Sequence, residues 1–234
     1  MNAIRNLLFA LCVLTLWACD SGDIYPKTHV YNQNGRTVVL TGKVTGLDDW
    51  SAKYSLRIAS FNDEDDSPIL SKLISTDENG NVDLVLSGIS NDATKVEVCV
   101  LDRLRHRVFT LKQLDITNVS DTAYIQLDNL SASMFNLLQT EVFDIRCISC
   151  HRNSANPSGQ LNLTTGKSYA ALVGKPSYKF ADRMLVEPYD GQNSVLYQLM
   201  VENLQDWRMP HADIIKEENI KTFIKDWIDN GAKE

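Results

Sequence analysis

The chain has 234 residues, of which 44% are hydrophobic, and its 30 acidic residues outnumber 23 basic ones to give a formal net charge of −7. This length accommodates one or two domains with ordinary hydrophobic cores. The acidic balance argues against a nucleic-acid-binding surface, which requires a basic stripe, so we expect no nucleic-acid partner.

Residues 1–18 have the features of a secretory signal peptide. Arg5 precedes an apolar run from Leu7 to Trp17, which is too short to span a bilayer as a helix. The run ends in LWAC (16–19), which resembles the bacterial lipoprotein box, in which the cysteine becomes the lipidated N-terminus. The alternative is a secretory signal with an incidental cysteine. The resemblance implies lipidation of Cys19 and an exported protein anchored to a bacterial membrane, on the periplasmic or cell-surface side of the outer membrane.

Residues 37–130 follow a polar tether (19–36) and alternate between apolar and polar with period two. TVVLTGKV (37–44) and VEVCV (96–100) show the pattern clearly. Alternation bounded by turns predicts half-buried strands. About seven short strands in this length predict an all-β sandwich of immunoglobulin-like architecture. Cys99 is expected to be a buried thiol of its core.

From residue 131 the spacing of apolar residues changes to that of α-helices. In the first segment, Met134, Leu138 and Val142 form one stripe, and Ile145 is expected to widen it. Helices are predicted over 134–147, 168–174, 194–204 and 219–232, with Gly231 as the stop of the last. We therefore predict that residues 131–234 form a second, all-α domain.

The segment CISCH (147–151) contains the residues with the clearest chemistry. A thioredoxin-like disulfide between Cys147 and Cys150 needs a βαβ setting, whereas this pair follows a predicted helix. A structural zinc needs four ligands, and only His211 is available to complete a set with His151. In the third interpretation the two thiols attach a haem covalently and His151 reaches the iron, which is the chemistry typical of the CxxCH spacing.

Met209, in DWRMPHAD (206–213), is the candidate for a second iron ligand. Thioether sulfur suits the iron of electron-transfer cytochromes, and Pro210 stiffens the loop. His211 is the rival ligand, and a second histidine would lower the reduction potential relative to methionine. His29 and His106 are expected to be surface groups.

Five segments of the C-terminal part occur in a characteristic order: CISCH, GQLNL (159–163), NSVLYQLM (193–200), RMP (208–210) and DWIDNGAKE (226–234). In this order they resemble the single-haem c-type cytochrome domains of planctomycete and Bacteroidetes lipoproteins. The resemblance implies a cytochrome c fold over 131–234 and one covalent haem c. The residues that it assigns to the haem are Cys147 and Cys150 as attachment sites, His151 and Met209 as axial ligands of the iron, and Leu161, Leu163 and Trp227 as pocket lining.

The expected function is electron transfer. An iron with two axial protein ligands has no open position for a substrate, and no other catalytic set occurs in the sequence. We therefore expect a non-enzymatic, membrane-tethered cytochrome that exchanges electrons with a redox partner protein. One alternative is a surface lipoprotein that binds a glycan or a protein through the β-sandwich, with the haem domain as a redox appendage. Another is a haem sensor or peroxidase in which Met209 is displaced.

Overall fold

The computed structural model of the chain describes residues 35–63, 65–152, 157–202 and 211–234. The predicted signal peptide, the lipid site at Cys19 and most of the predicted tether lie outside the described residues, as do His29 and Met209. Within the described ranges, no helix combines the length and the apolar character needed to cross a bilayer.

Seven β-strands make up the N-terminal part of the described chain, as the alternation of apolar residues predicted. They are β1 (Arg36–Thr45), β2 (Tyr54–Phe61), β3 (Leu70–Leu73), β4 (Asn81–Ile89), β5 (Lys95–Asp102), β6 (Arg107–Asp115) and β7 (Thr122–Ser131). They form a three-stranded sheet in the order β4-β1-β7 and a four-stranded sheet in the order β3-β2-β5-β6. In the first sheet, buried Leu40 lies opposite Leu84 on one side and Ile125 on the other. Such inward-facing side chains fill the space between the sheets.

The order of the strands shows that the predicted immunoglobulin-like architecture is wrong. In that architecture the first, second, fourth and fifth strands share one sheet, whereas β1 and β2 lie in different sheets here. β1 instead pairs antiparallel with β4 and parallel with β7. The alternation of residues within a strand decides which face is buried, but it carries no information about which strands become neighbours.

In the ranges that the structure describes, the C-terminal part contains short helices joined by irregular segments, and the prediction of an all-α cytochrome c domain is therefore wrong. Its regular elements are α1 (Met134–Leu138), a π-helix (Gln139–Cys147), α2 (Ser168–Leu172), α3 (Val195–Val201) and α4 (Glu218–Asp229), with 3₁₀ turns at Ser158–Gln160 and His211–Asp213. Of the α-helices in the described ranges, only α4 exceeds seven residues, so strands dominate the described chain. α2 ends at Leu172, because Val173 is extended and Gly174 follows at φ 64°.

α4 packs against the sandwich, and the strands and helices share one hydrophobic core. The Phe223 ring of α4 lies with its centroid 4.8 Å from that of Tyr54 and 5.1 Å from that of Phe109. Asp226, on the next turn of α4, accepts hydrogen bonds from the Tyr54 hydroxyl at 2.8 Å and the Lys53 ammonium at 2.6 Å. Buried side chains of both sheets and of all four α-helices belong to a single apolar cluster. The chain changes from strand to helix after Ser131, but the core continues across that change.

Candidate functional site

An apolar cavity of about 290 Å³ lies beside the CISCH segment. Cys147 and His151 form part of its wall, together with apolar side chains that include Leu161, Leu163, Leu172, Leu196, Met200 and Ile215. Tyr178 also lines the cavity while 70% of its surface is exposed, so the cavity reaches the protein surface there. A concave, mostly apolar site with a few polar groups is the usual form of a cofactor pocket.

The π-helix Gln139–Cys147 places its last residue, the first cysteine of CISCH, in the wall of this cavity. At its end the Ile148 amide donates to the Phe143 carbonyl five residues earlier, at 3.0 Å, which is the defining bond of a π-helix. Because a π-helical turn contains more residues than an α-helical one, the side chains point in other directions than a spacing of 3.6 residues predicts. Ile145, predicted to widen the apolar stripe, is consequently 66% exposed. π-helical turns are rare and frequently occur at functional sites.

Cys147 ends the π-helix, and Cys150 follows it in a compact turn. The amides of Cys150 and His151 both donate to the Cys147 carbonyl, at 3.2 and 3.0 Å. Both cysteines are free thiols, and Cys150 is exposed whereas Cys147 is partly buried at the cavity. Burial raises the pKa of the Cys147 thiol to about 11, against an opposing contribution from Arg146. The Cys147 sulfur is therefore protonated at neutral pH.

His151 presents one particular ring nitrogen for ligation. Its Nδ1 lies 2.8 Å from the carbonyl oxygen of Ser158. A carbonyl oxygen can only accept, so Nδ1 carries the proton and Nε2 keeps its lone pair. Burial lowers the pKa of the imidazole, although the carbonyls of Ser158 and Leu161 act in the opposite direction. A neutral imidazole whose other N–H is held by a carbonyl is the arrangement usual for a metal-ligating histidine.

A buried hydrogen-bond network holds Leu163 beside His151. The Leu163 amide donates to the His151 carbonyl at 2.7 Å, and the Leu163 carbonyl accepts from Gln139 Nε2 at 3.0 Å. The Gln139 side chain, only 3% exposed, also donates to Asp144 Oδ1 at 2.7 Å and accepts from the Ser168 hydroxyl. The first residue of the π-helix thereby fixes the chain that follows the CISCH turn.

The residues predicted to line a haem pocket do not all lie at the cavity. Leu161 and Leu163 line it, but Trp227 is not among its lining residues. The Trp227 indole is buried in the core, where its N–H donates to the Lys233 carbonyl at 2.7 Å and its ring centroid lies 5.5 Å from that of Phe135. This face of α4 packs on α1, and the predicted role of Trp227 at a haem pocket stays a prediction.

Other cavity residues were missing from the sequence-based prediction. Tyr178 and Lys179 lie in the irregular chain between α2 and α3, and Ile214 and Ile215 precede α4. No periodic pattern or motif marks these positions, since they reach the cavity only through the packing of distant segments. His211 also lines the cavity, at the start of its 3₁₀ turn.

Arg146, which directly precedes the first cysteine, contacts the chain that leads into α4. Its guanidinium pairs with both carboxylate oxygens of Glu217, at 2.8 and 2.9 Å, and its Nη1 lies 3.4 Å from the Ile214 carbonyl. The hydrogen bonds from Arg146 lower the pKa of Glu217 to about 2. Since Ile214 lines the cavity, this ion pair fixes one wall of the cavity relative to Cys147.

The Glu217→Gln substitution is expected to remove a pH-dependent part of the stability. The Glu217 pKa is about 2 in the folded protein against an ordinary value of 4.5, so its contribution is complete above pH 4.5 and is lost as the pH falls towards 2. The Glu217 side chain is 47% exposed, and solvent screening limits the effect to about 1 kcal/mol. Urea unfolding at pH 7 and pH 3 should show the difference between wild type and variant shrinking at the lower pH. Glu218→Gln is the matched control, and an equal difference at both pH values would contradict the ion pair.

Comparison with known proteins identifies no family for this chain. No protein-family model matches the chain, and no curated protein matches it. Within the ranges that the structure describes, no three or more His, Cys, Asp or Glu side chains are grouped to hold a metal ion. An iron in a porphyrin takes only one or two protein ligands, which is a different arrangement. Function is therefore inferred from the chemistry of the site itself.

Proposed function

We propose that the protein is a single-haem c-type cytochrome that transfers electrons and is tethered to a bacterial membrane through Cys19. The observation that supports the proposal most strongly is the arrangement of CISCH. Two free thiols three residues apart precede an imidazole whose Nδ1 is held by the Ser158 carbonyl, and Cys147 and His151 face the same apolar cavity.

The residues around the cavity fit a covalently attached haem. Each cysteine would add its S–H across one vinyl group: the sulfur forms a carbon–sulfur bond, the hydrogen moves to the other vinyl carbon, and nothing leaves. His151 would ligate the iron through Nε2, the nitrogen that keeps its lone pair. Leu161, Leu163 and the other apolar side chains of the wall would exclude water from the macrocycle. When bound, a haem supplies a one-electron iron couple whose potential depends on axial ligands and burial.

We expect the protein to transfer electrons without a catalytic residue of its own. The hydrogen bonds that fix Leu163 and Ser158 to the CISCH turn hold the ligand histidine rigidly, and a rigid site changes little in structure between two oxidation states. The exposure of Tyr178 beside the cavity gives a redox partner protein an approach to it. The protein's contribution is thus binding, orientation and tuning of the potential.

Loss of haem from a double cysteine variant tests this proposal. The full chain is expressed with a c-type haem maturation system, and the product is stained for haem after denaturing electrophoresis. We expect the wild type to keep its haem and the Cys147→Ala/Cys150→Ala variant to lose all of it, because only thioether bonds survive denaturation. Cys99→Ala is the matched control, since Cys99 lies in a separate apolar cluster with Phe61. A wild-type chain without stain, or a double variant that stains, would refute the proposal.

A further inference from the structure

We propose that His211 is the second protein ligand of the haem iron, a role that the sequence-based expectation gave to Met209. The inference rests on the proposed haem site and deepens it. His151 and His211 line the same cavity, and their ring centroids are 6.1 Å apart. The two imidazoles therefore stand close together although 60 positions separate them along the chain.

The separation of the rings matches that of two imidazoles bound to one metal ion. A metal–nitrogen bond is about 2 Å long and the ring centre lies about 1 Å beyond the nitrogen, so two rings bound on opposite sides of one ion have centroids about 6 Å apart. The planes of the rings are inclined by 38°. This inclination is compatible with ligation, since a ring can turn about its metal–nitrogen bond without breaking it.

The chain that carries His211 is fixed relative to the chain that carries His151. The Ile214 amide donates to the His211 carbonyl at 3.0 Å and closes the 3₁₀ turn. The Ile214 carbonyl and the Glu217 carboxylate both contact the guanidinium of Arg146, which directly precedes the first cysteine. One arginine thus links the two segments that carry the histidines.

Ligation by two histidines has a consequence for the kind of partner. Imidazole stabilises ferric iron more than a thioether does, so the potential is lower than with histidine and methionine. The protein would accordingly accept electrons only from donors of comparably low potential. The pair would also leave no open iron position for a substrate.

The coordination of the iron can be tested spectroscopically on the haem-loaded full chain. We expect the oxidised wild type to be low-spin and to lack the weak band at the red end of the spectrum that a methionine–iron bond produces. His211→Gly is expected to become high-spin and, when reduced, to bind carbon monoxide. Added imidazole should restore the low-spin spectrum, because it can fill the position that His211 leaves open. His106→Gly, at an exposed histidine between β5 and β6, should leave the spectrum unchanged.

Three outcomes would overturn the inference. A wild-type protein that shows the red band, lost on Met209→Leu, would assign the ligand to Met209 and leave the proposed function standing. A His211→Gly protein that stays low-spin without added imidazole would exclude His211. A wild-type chain without covalent haem would refute the proposed function and this inference together.

A second variant tests the inference even if the His211→Gly protein cannot be obtained with haem. His211→Met is expected to remain low-spin, to gain the red band and to raise the midpoint potential above that of the wild type. An unchanged potential and spectrum would show that the side chain at 211 does not touch the iron.

Discussion

Replacing Phe223 with alanine is expected to destabilise the protein by about 4 kcal/mol, because it removes a large buried ring and leaves a cavity. Phe223 is 0% exposed, and its ring packs edge-on against Tyr54 and Phe109 of the sandwich. The loss should therefore weaken the strands and the helices together. Urea unfolding followed by circular dichroism and by tryptophan fluorescence would show one transition, shifted to lower urea in both signals.

The control for this substitution is Thr222→Ala, at the neighbouring exposed position of α4, where a surface change costs within about 0.5 kcal/mol. The helical and the strand contributions to the circular dichroism of Phe223→Ala can be followed separately. If the helical contribution were lost while the strand contribution kept the wild-type midpoint, the strands and the helices would unfold independently. That result would contradict the shared core and favour the separate domains predicted over 37–130 and 131–234.

The Gln139→Leu substitution is expected to cost about 3 kcal/mol, since it leaves several buried polar groups without partners. The Leu163 carbonyl would lose its donor from Gln139, and the Ser168 hydroxyl would lose its acceptor. Leu163 also bonds to the His151 carbonyl, so the variant is expected to loosen the CISCH turn. Chemical unfolding measures the first effect, and the midpoint potential of the haem-loaded protein measures the second.

The matched control is Gln113→Leu, which changes an exposed glutamine on β6 and should leave both quantities close to those of the wild type. A Gln139→Leu protein with wild-type stability would show that the network does not hold the site. A destabilised variant with an unchanged potential would show that the network supports the fold without orienting His151.

Local patterns predicted a large share of the elements. Alternation identified most of the strands, and Val96, Val98 and Val100 of β5 are buried as expected, although the opposite face of β5 is buried as well. The period of 3.6 identified α4, and Gly231 follows it at φ 95°. These predictions succeed because side-chain direction repeats with the backbone geometry of one element and needs no distant partner.

Features that depend on distant partners could not be predicted from these local patterns. Residue Thr37 of β1 lies opposite Thr122 of β7, and no property of either strand specifies that parallel pairing. Ile145 is exposed because a π-helix replaces the assumed α-helix, and Trp227 faces the core because of what packs on α4. The strand pairing and the positions of both side chains depend on packing between elements, which the spacing of apolar residues within one element does not predict.

The candidate site divides in the same way. The sequence by itself determined that two thiols and an imidazole lie in one turn, since the spacing of Cys147, Cys150 and His151 is local. Only the tertiary structure decided the cavity, the Gln139 contact to Leu163 across 24 positions and the Arg146 contact to Glu217 across 71. It also decided the approach of His211 to His151. The physical reason is that a turn is closed by hydrogen bonds between near neighbours, whereas a cavity is closed by apolar segments that meet only when the whole core forms.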